Sequence, residues 1–147
     1  MKQFVYIVFL LLSLHVSAQT EKNYGIQFYH GTWKEACDKA KAENKLIFVD
    51  FYTQWCGPCL NMAENVFILP FIGDFYNTNF VNLKIDAENG EGVELAKRYG
   101  VNSYPTYVFV DPKNGDVVHR SKSRQEAEQF LATGKSALVP ELRSGYL

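Results

Sequence analysis

The sequence is poor in cysteine, in net charge and in internal repetition. Its 147 residues include three cysteines, and 15 lysine and arginine residues nearly balance 16 aspartate and glutamate residues. The resulting net charge of −1 argues against a nucleic-acid-binding protein, which would carry a basic excess. Hydrophobic residues make up 47% of the chain, which argues against disorder and against a scaffold that depends on disulfides. The length suits a single domain.

One long apolar run is present, and it lies near the N-terminus. Lys2 precedes residues 4–14, which are apolar except for Ser13, and small or branched residues occupy positions 16–18. This pattern predicts a secretory signal peptide over residues 1–18, with cleavage after Ala18 and a mature domain over residues 19–147. The run is shorter than the roughly 20 residues that a membrane-spanning helix needs. We therefore expect an exported protein, periplasmic in a bacterium with an outer membrane and otherwise extracellular, in which disulfides persist.

Hydrophobic patterning after this segment predicts alternating strands and helices. The segment Leu46–Tyr52 is almost continuously apolar and rich in branched and aromatic residues, which is typical of a buried central strand. Strands are expected over residues 25–29, 46–52, 80–86, 106–110 and 116–120, and helices over residues 33–44, 56–65, 70–77, 92–99 and 124–133. Gly134 is expected to end the last helix. This alternation, closed by a hairpin, predicts an α/β layer fold.

The strongest chemical signal is the motif Trp-Cys-Gly-Pro-Cys at residues 55–59, shortly after the predicted central strand. If a helix begins here, Cys56 lies at its N-terminus, where the helix dipole and unpaired backbone N–H groups stabilise a thiolate. Cys59 then lies one turn further on, near enough to attack a mixed disulfide formed at Cys56. Pro58 is tolerated in the first turn because its missing N–H has no partner within the helix. We interpret the two cysteines as a redox pair.

Other uses of the two cysteines have less support. A structural zinc site needs four ligands, and the mature chain adds only Cys37, His30 and His119, which form no second close pair. A c-type haem site needs a histidine after the second cysteine, where the chain has Leu60. An inert structural disulfide remains open. Cys37 is expected to be buried and unreactive, and both histidines are expected at the surface.

Three segments, in this order along the chain, resemble the thioredoxin family. Residues 48–52 (Phe-Val-Asp-Phe-Tyr), followed by the motif at 55–59, resemble the strand and active-site signature of the family. Residues 104–106 (Tyr-Pro-Thr) resemble its cis-proline loop, and residues 113–117 resemble its final hairpin. The resemblance spans about residues 46–120 and implies a thioredoxin fold, in which helices flank a central mixed sheet. It also implies thiol–disulfide exchange with protein substrates that contain disulfides.

The resemblance implies a role for each matched residue. Cys56 is expected to be the attacking nucleophile, and Cys59 the resolving thiol. Asp50 matches the buried carboxylate that relays a proton to or from Cys59; a lone acid in this apolar strand also needs a raised pKa or a partner. Pro105 is expected in the cis form. The residues expected to bind substrate are Trp55, Gly57, Pro58, Tyr104 and Pro105.

The chain departs from the family pattern at several positions. Asn82 aligns with the lysine that accompanies the buried acid in thioredoxins, and Lys84 lies two residues further on. Tyr104 is larger than the aliphatic residue usual before the cis-proline, which would narrow the substrate groove. The glycine usual after the last strand is missing from residues 119–123. An alternative orientation, in which Asp50 faces the solvent edge of its strand, also stays open at this stage.

The Gly-Pro pair between the cysteines resembles the thioredoxin pattern and favours reduction of substrate disulfides over their formation. An exported reductase needs electrons from elsewhere, so we expect a membrane-bound thiol donor as a partner, and we expect neither a metal nor a cofactor. Two alternatives remain. The same chemistry serves an oxidase or isomerase that introduces or reshuffles disulfides. A binding module would instead use the fold with Cys56 and Cys59 locked as a disulfide.

Overall fold

Residues 24–144 are described by the computed structural model, and the predicted signal peptide over residues 1–18 lies outside them. The helices in this range are α1 (Trp33–Glu43), α2 (Gly57–Asn65), α3 (Pro70–Asn79), α4 (Gly92–Arg98) and α5 (Ala127–Leu138), followed by a 3-10 helix at Pro140–Leu142. The strands are β1 (Leu46–Tyr52), β2 (Phe80–Asp86), β3 (Thr106–Val110) and β4 (Val117–Lys122). No helix in the described range is long and apolar enough to cross a membrane.

The strands form a mixed sheet in the order β2-β1-β3-β4. β1 pairs with β2 in parallel and with β3 in antiparallel orientation, and β4 is the antiparallel hairpin partner of β3. Because β1 lies inside the sheet and helices cover both faces, every residue between its two ends is buried. The predicted α/β architecture, a central mixed sheet flanked by helices, is therefore confirmed.

The sheet separates two hydrophobic clusters, because successive side chains of a strand point to opposite faces. Val49 and Phe51 of β1 belong to the first cluster, to which α1 and α4 contribute. Phe48 belongs to the second cluster, to which α2, α3 and α5 contribute. Asp50 follows the same alternation and lies on the side of Phe48. An acidic residue is thus placed in the aromatic half of the core.

The last helix differs from its prediction at both ends. α5 begins at Ala127 and continues through Gly134 to Leu138, so the prediction that this glycine ends the helix is wrong. A Cβ atom at Gly134 would lie 2.8 Å from a ring atom of Phe75 and 2.9 Å from the ring of Tyr76. The glycine therefore allows α5 to pack closely against α3, and close packing rather than helix termination explains its presence.

The segment before α1 is also less regular than predicted. Residues 25–29 do not form a strand; Phe28 instead makes an isolated parallel bridge to Asn82 of β2. The backbone N–H of Tyr29 donates to the carbonyl of Asn82 over 2.8 Å. The segment therefore lies along the outer edge of β2 without extending the sheet by a full strand.

Two residues outside the redox motif are placed differently from their predictions. His119 is 8% exposed rather than a surface residue, because its ring packs on Phe109 and its Nδ1 accepts a 3.0 Å hydrogen bond from the backbone N–H of Ser144. Cys37 is half-buried rather than buried, and it packs against the first cluster. His30 is exposed, as predicted.

Candidate active site

Cys56 and Cys59 form a disulfide at the N-terminus of α2, with their Cα atoms 5.3 Å apart. Cys56 is the N-cap residue of this helix, and its Sγ accepts a hydrogen bond of 3.2 Å from the backbone N–H of Cys59. Gly57 and Pro58 occupy the first two positions of the helix. The predicted placement of the pair, where a strand passes into a helix, is therefore confirmed.

This geometry would stabilise a thiolate on Cys56 after reduction of the disulfide. The positive end of the α2 dipole and the N–H of Cys59 both lie at the Cys56 sulfur, and each interaction favours the charged form of a thiol. Cys56 and Cys59 are only 6% and 4% exposed. A substrate disulfide must therefore approach through a narrow opening above the pair.

A cleft of about 220 Å³ forms that opening. It is lined by residues 52–57, which lead from β1 into α2, together with Cys59, Leu60 and Lys84. This volume is below the roughly 300–1,000 Å³ of clefts that hold drug-sized ligands. The cleft is therefore smaller than a typical small-molecule pocket. In residues 24–144, no three His, Cys, Asp or Glu side chains are grouped so that they could hold a metal ion.

Asp50 is 1% exposed, so the alternative orientation toward solvent is wrong. Burial raises the pKa of Asp50 to about 7, and the positive charge of Lys84 partly offsets this rise. Neither carboxyl oxygen has a hydrogen-bond partner among the described residues. The sequence predicted either a raised pKa or a partner, and the structure shows the raised pKa. A carboxyl group with a pKa near neutrality can both accept and release a proton at physiological pH.

The lysine nearest to Asp50 along the sheet is Lys84. The parallel pairing of β1 with β2 places Lys84 opposite Asp50 and places Asn82 opposite Phe48. The side chain of Asn82 is engaged elsewhere, because its Nδ2 donates to Oδ1 of Asn77 over 3.1 Å. Lys84 is exposed, lines the active-site cleft and holds its ammonium group 4.8 Å from the ring centroid of Tyr52. Lys84 therefore joins the site from a position that motif alignment did not assign.

The exposed aromatic surface beside the disulfide comes from two loops. Trp55 is 69% exposed, and its ring meets that of Tyr104 edge-to-face with centroids 6.0 Å apart. The indole Nε1 of Trp55 donates a 3.0 Å hydrogen bond to the carboxylate of Glu88. The Tyr104–Pro105 peptide bond is cis, as predicted. Gly57 and Pro58 are exposed next to Trp55.

The structure thus brings the predicted site residues to one region. All motif residues except Pro58 line the cleft. Tyr104 contacts Trp55 from the cis-proline loop, and Asp50 lies in the strand that leads to the motif. Sequence reasoning assigned no role to Lys84 or Glu88. The strand register identifies the position of Lys84, whereas no sequence signal singles out Glu88 from the other acidic residues around it.

A mixed sheet with a disulfide at a helix N-terminus, and a cis-proline loop in contact with the tryptophan of that motif, defines a thiol–disulfide oxidoreductase domain. Comparison with known proteins agrees. Residues 33–138 match the family model described as a thioredoxin-like domain. The chain belongs to this thioredoxin-like family, since the match covers more than half of it.

Individual relatives support the same assignment. Over 69 residues the chain is 48% identical to thioredoxin-1 of Drosophila yakuba, a stretch that covers 47% of this chain and 60% of that protein. It is 46% identical to thioredoxin-1 of Drosophila melanogaster over 69 residues, again 47% of this chain and 60% of that protein. The chain thus spans about three-fifths of the length of these curated relatives.

Solved structures cover more of the chain. A proposed disulphide-isomerase from Bacteroides thetaiotaomicron is 42% identical, with a TM-score of 0.71 over 80% of this chain and 97% of that one. A thioredoxin from Thermus thermophilus is 29% identical, with a TM-score of 0.69 over 78% of this chain and 88% of that one. The two matches therefore cover about four-fifths of this chain and most of each solved chain.

Proposed function

We propose that the protein is an exported reductase that cleaves disulfides in protein substrates. The observation that carries this proposal is the position of Cys56 as N-cap of α2, with a backbone N–H donated to its sulfur. A thiol in this position ionises more readily than the usual cysteine of pKa about 8.5. The Gly-Pro pair, which resembles the thioredoxin pattern, favours the reductive direction.

The reaction proceeds by two exchanges at sulfur. The Cys56 thiolate attacks one sulfur of the substrate disulfide, so that a mixed disulfide forms and the other substrate sulfur leaves as a thiolate. Cys59 then loses its proton, for which Asp50 is the proposed acceptor, and its thiolate attacks the sulfur of Cys56. The second substrate thiolate leaves, and Asp50 releases its proton to the solvent. The two substrate thiolates take up two protons from the solvent, and Cys56 and Cys59 are left joined by a disulfide.

Substrate binding is proposed to involve the exposed surface around the disulfide. Trp55, Gly57 and Pro58 supply one side of this surface, and Tyr104 supplies the other. As the resemblance of residues 104–106 to a cis-proline loop implies, the backbone of Tyr104 is proposed to pair with an extended substrate segment. Because the Trp55 and Tyr104 rings are in contact, the gap between the loop that carries Trp55 and the cis-proline loop is narrow.

Export and electron supply complete the proposal. The pattern of residues 1–18, a lysine followed by an apolar run and small residues, supports secretion to the periplasm or the extracellular space. Each turnover leaves the Cys56–Cys59 pair oxidised, so a reductase outside the cytoplasm needs a resident source of thiols. A membrane-bound dithiol protein is the proposed donor.

Insulin reduction tests the proposed function. The mature protein with excess dithiol should reduce insulin, Cys56→Ser should abolish this activity, and Cys37→Ser is the matched control that should retain it. Cys59→Ala should instead accumulate a mixed disulfide between Cys56 and its substrate, visible on a non-reducing gel. If Cys56→Ser still reduced insulin, the proposed mechanism would be ruled out.

An isomerase is the second candidate, because the Bacteroides thetaiotaomicron protein of known structure is a proposed disulphide-isomerase. Recovery of activity from scrambled ribonuclease distinguishes the two functions. Efficient recovery at a glutathione ratio that does not support net reduction would favour isomerisation. If physiological dithiols cannot reduce the Cys56–Cys59 disulfide, a binding module becomes the better description.

A further inference from the structure

Tyr107 lies opposite Asp50 on the strand that flanks β1 on its other side. In the antiparallel pairing of β1 with β3, Asp50 is the register partner of Tyr107, so the two side chains project from the same face of the sheet. Tyr107 is fully buried and belongs to the second hydrophobic cluster, where its ring lies 5.1 Å from that of Phe130. An ionisable acid and a phenol therefore share one buried region.

The hydroxyl of Tyr107 has no hydrogen-bond partner among the described residues, and neither carboxyl oxygen of Asp50 has one. The hydroxyl of Thr53, three residues after Asp50, is also buried without a partner. Buried polar groups are normally paired, and an unpaired one calls for a functional or solvent-mediated explanation. Tyr76 in the same cluster shows the usual arrangement, because its hydroxyl donates to the carbonyl of Phe130 over 2.8 Å.

The charged and titratable groups around Asp50 are few. Lys84 faces it from β2 and lowers its pKa, while Tyr107 faces it from β3. Tyr52 lies two residues further along β1, and burial together with the charges of Asp86 and Asp50 raises the pKa of its phenol. From α2, the redox pair Cys56–Cys59 borders the same cleft as Lys84. Of these neighbours, Tyr107 is the fully buried one that carries a hydrogen-bond donor at all physiological pH values.

We propose that Tyr107 is a positioning residue for Asp50, supplying through one bridging water molecule the hydrogen bond that the buried carboxylate needs. This inference rests on the proposed function, because it concerns the step in which Asp50 takes the proton of Cys59. A phenol is a suitable donor here because burial and the Asp50 charge raise the pKa of Tyr107, so it keeps its proton when Asp50 is ionised. Tyr107 can therefore donate a hydrogen bond whenever Asp50 is ionised.

The proton-transfer step is balanced without any further reactant. The S–H bond of Cys59 breaks, its electron pair stays on sulfur, and an O–H bond forms on Asp50. The resulting thiolate attacks Cys56, as in the two-exchange reaction described above. Tyr107 keeps its own proton: through the bridging water it stabilises the Asp50 carboxylate before the transfer, and it loses that charged acceptor afterwards.

The test is a carbon-13 NMR titration of the oxidised full-length mature protein. In the wild type, the Asp50 carboxyl carbon should titrate above the usual range of an aspartate, and the Cζ resonance of Tyr107 should move with the same midpoint. The Cζ resonance of Tyr76, which is bonded to a backbone carbonyl, should not follow that midpoint. This measurement needs no variant and no substrate.

Two matched variants then separate positioning from structure. Tyr107→Phe should raise the Asp50 midpoint by about one pH unit, because a hydrogen bond to a charged group is lost. It should not lower the urea midpoint of unfolding at pH 5, since the hydroxyl that is removed has no hydrogen-bond partner among the described residues. Tyr76→Phe removes a satisfied hydroxyl from the same cluster, so it should lower the urea midpoint and leave the Asp50 midpoint unchanged.

The outcomes are distinct from those that test the reductase. A Tyr107 Cζ resonance that ignores the Asp50 titration would overturn the proposal, as would a Tyr107→Phe midpoint equal to that of the wild type. Equal shifts in Tyr107→Phe and Tyr76→Phe would also overturn it, because they would indicate a general effect of the cluster. If the wild type fails to reduce insulin but the linked titration is present, the proposed function fails while the pairing of Tyr107 with Asp50 stands.

Discussion

Lys84 and Asp50 are direct partners in the parallel register of β1 and β2, and one is exposed while the other is fully buried. Asp50 thus lies in the interior of the sheet, while its partner Lys84 lines the cleft at the Cys56–Cys59 disulfide. Burial makes the charged form of Asp50 costly, and the lysine reduces that cost through space. The protonation of Asp50 thus depends on a residue at the substrate surface.

Removal of the lysine charge should raise the pKa of Asp50 further. In Lys84→Gln, the carboxyl titration measured by NMR should shift to higher pH than in the wild type, because the favourable charge interaction is lost. Lys84→Arg keeps the charge and should remain close to the wild type. Lys97→Gln, at an exposed position of α4, is the control. A Lys84→Gln midpoint that equals the control would show that this charge does not act on Asp50.

Asp50→Asn should stabilise the oxidised protein, and the gain should grow with pH. Because the pKa of Asp50 is raised to about 7, folded protein keeps a proton that unfolded protein loses above about pH 3.9. The acid therefore lowers the unfolding free energy increasingly between about pH 4 and 7, by on the order of 4 kcal/mol at its limit, and the effect is constant above pH 7. Urea unfolding of both proteins at pH 4, 5.5 and 8 measures this difference.

A constant difference between Asp50→Asn and the wild type across these pH values would contradict the raised pKa. The comparison must use the difference between the two proteins. Several exposed carboxyl groups have lowered pKa values, such as Asp38 beside Lys34, and they act in the opposite direction. Their contribution is common to both proteins and cancels.

Glu88 should affect protein substrates more than small ones. Its carboxylate accepts the indole hydrogen bond of Trp55, so Glu88→Ala should free this exposed ring and raise the KM for insulin by about two- to tenfold. Glu88→Gln keeps an acceptor and should restore the wild-type value, and Glu94→Ala is an exposed control. The KM for a small aromatic disulfide should not change. A loss of activity toward both substrates would indicate damage to the redox pair instead.

Gly134→Ala should destabilise the fold although alanine is the better helix former. The new methyl group would lie within 2.8–2.9 Å of the rings of Phe75 and Tyr76, and overpacking of this kind costs about 1–3 kcal/mol. The helix-propensity gain of about 1 kcal/mol offsets part of this cost. Urea unfolding should give a lower stability than for the exposed control Lys135→Ala. An unchanged or higher stability would show that α3 and α5 can move apart without cost.

The sequence alone predicted the architecture well where one local signal dominates. β1 was identifiable because Leu46–Tyr52 is almost continuously apolar, and the start of α2 was identifiable from the position of the cysteine motif after that strand. The redox pair and the buried acid followed from the same short segment. Local patterns such as these reflect the burial of a whole strand, so tertiary contacts reinforce them.

Features that depend on distant contacts were not predictable in the same way. The burial of His119 depends on Ser144, which lies far along the chain but donates to its ring nitrogen. Gly134 resembles a helix terminator in sequence, yet its role is set by the rings of α3. The position of Lys84 opposite Asp50 follows from strand register, which a motif alignment does not contain.

The reduction potential of the Cys56–Cys59 pair is the decisive measurement for the proposed direction of electron flow. Equilibration of the mature protein with defined ratios of reduced and oxidised dithiol gives this value. We predict a potential near that of thioredoxins, about −270 mV, because the Gly-Pro pair between the cysteines resembles the thioredoxin pattern. A value above about −180 mV, in the range of disulfide isomerases and oxidases, would contradict the reductase.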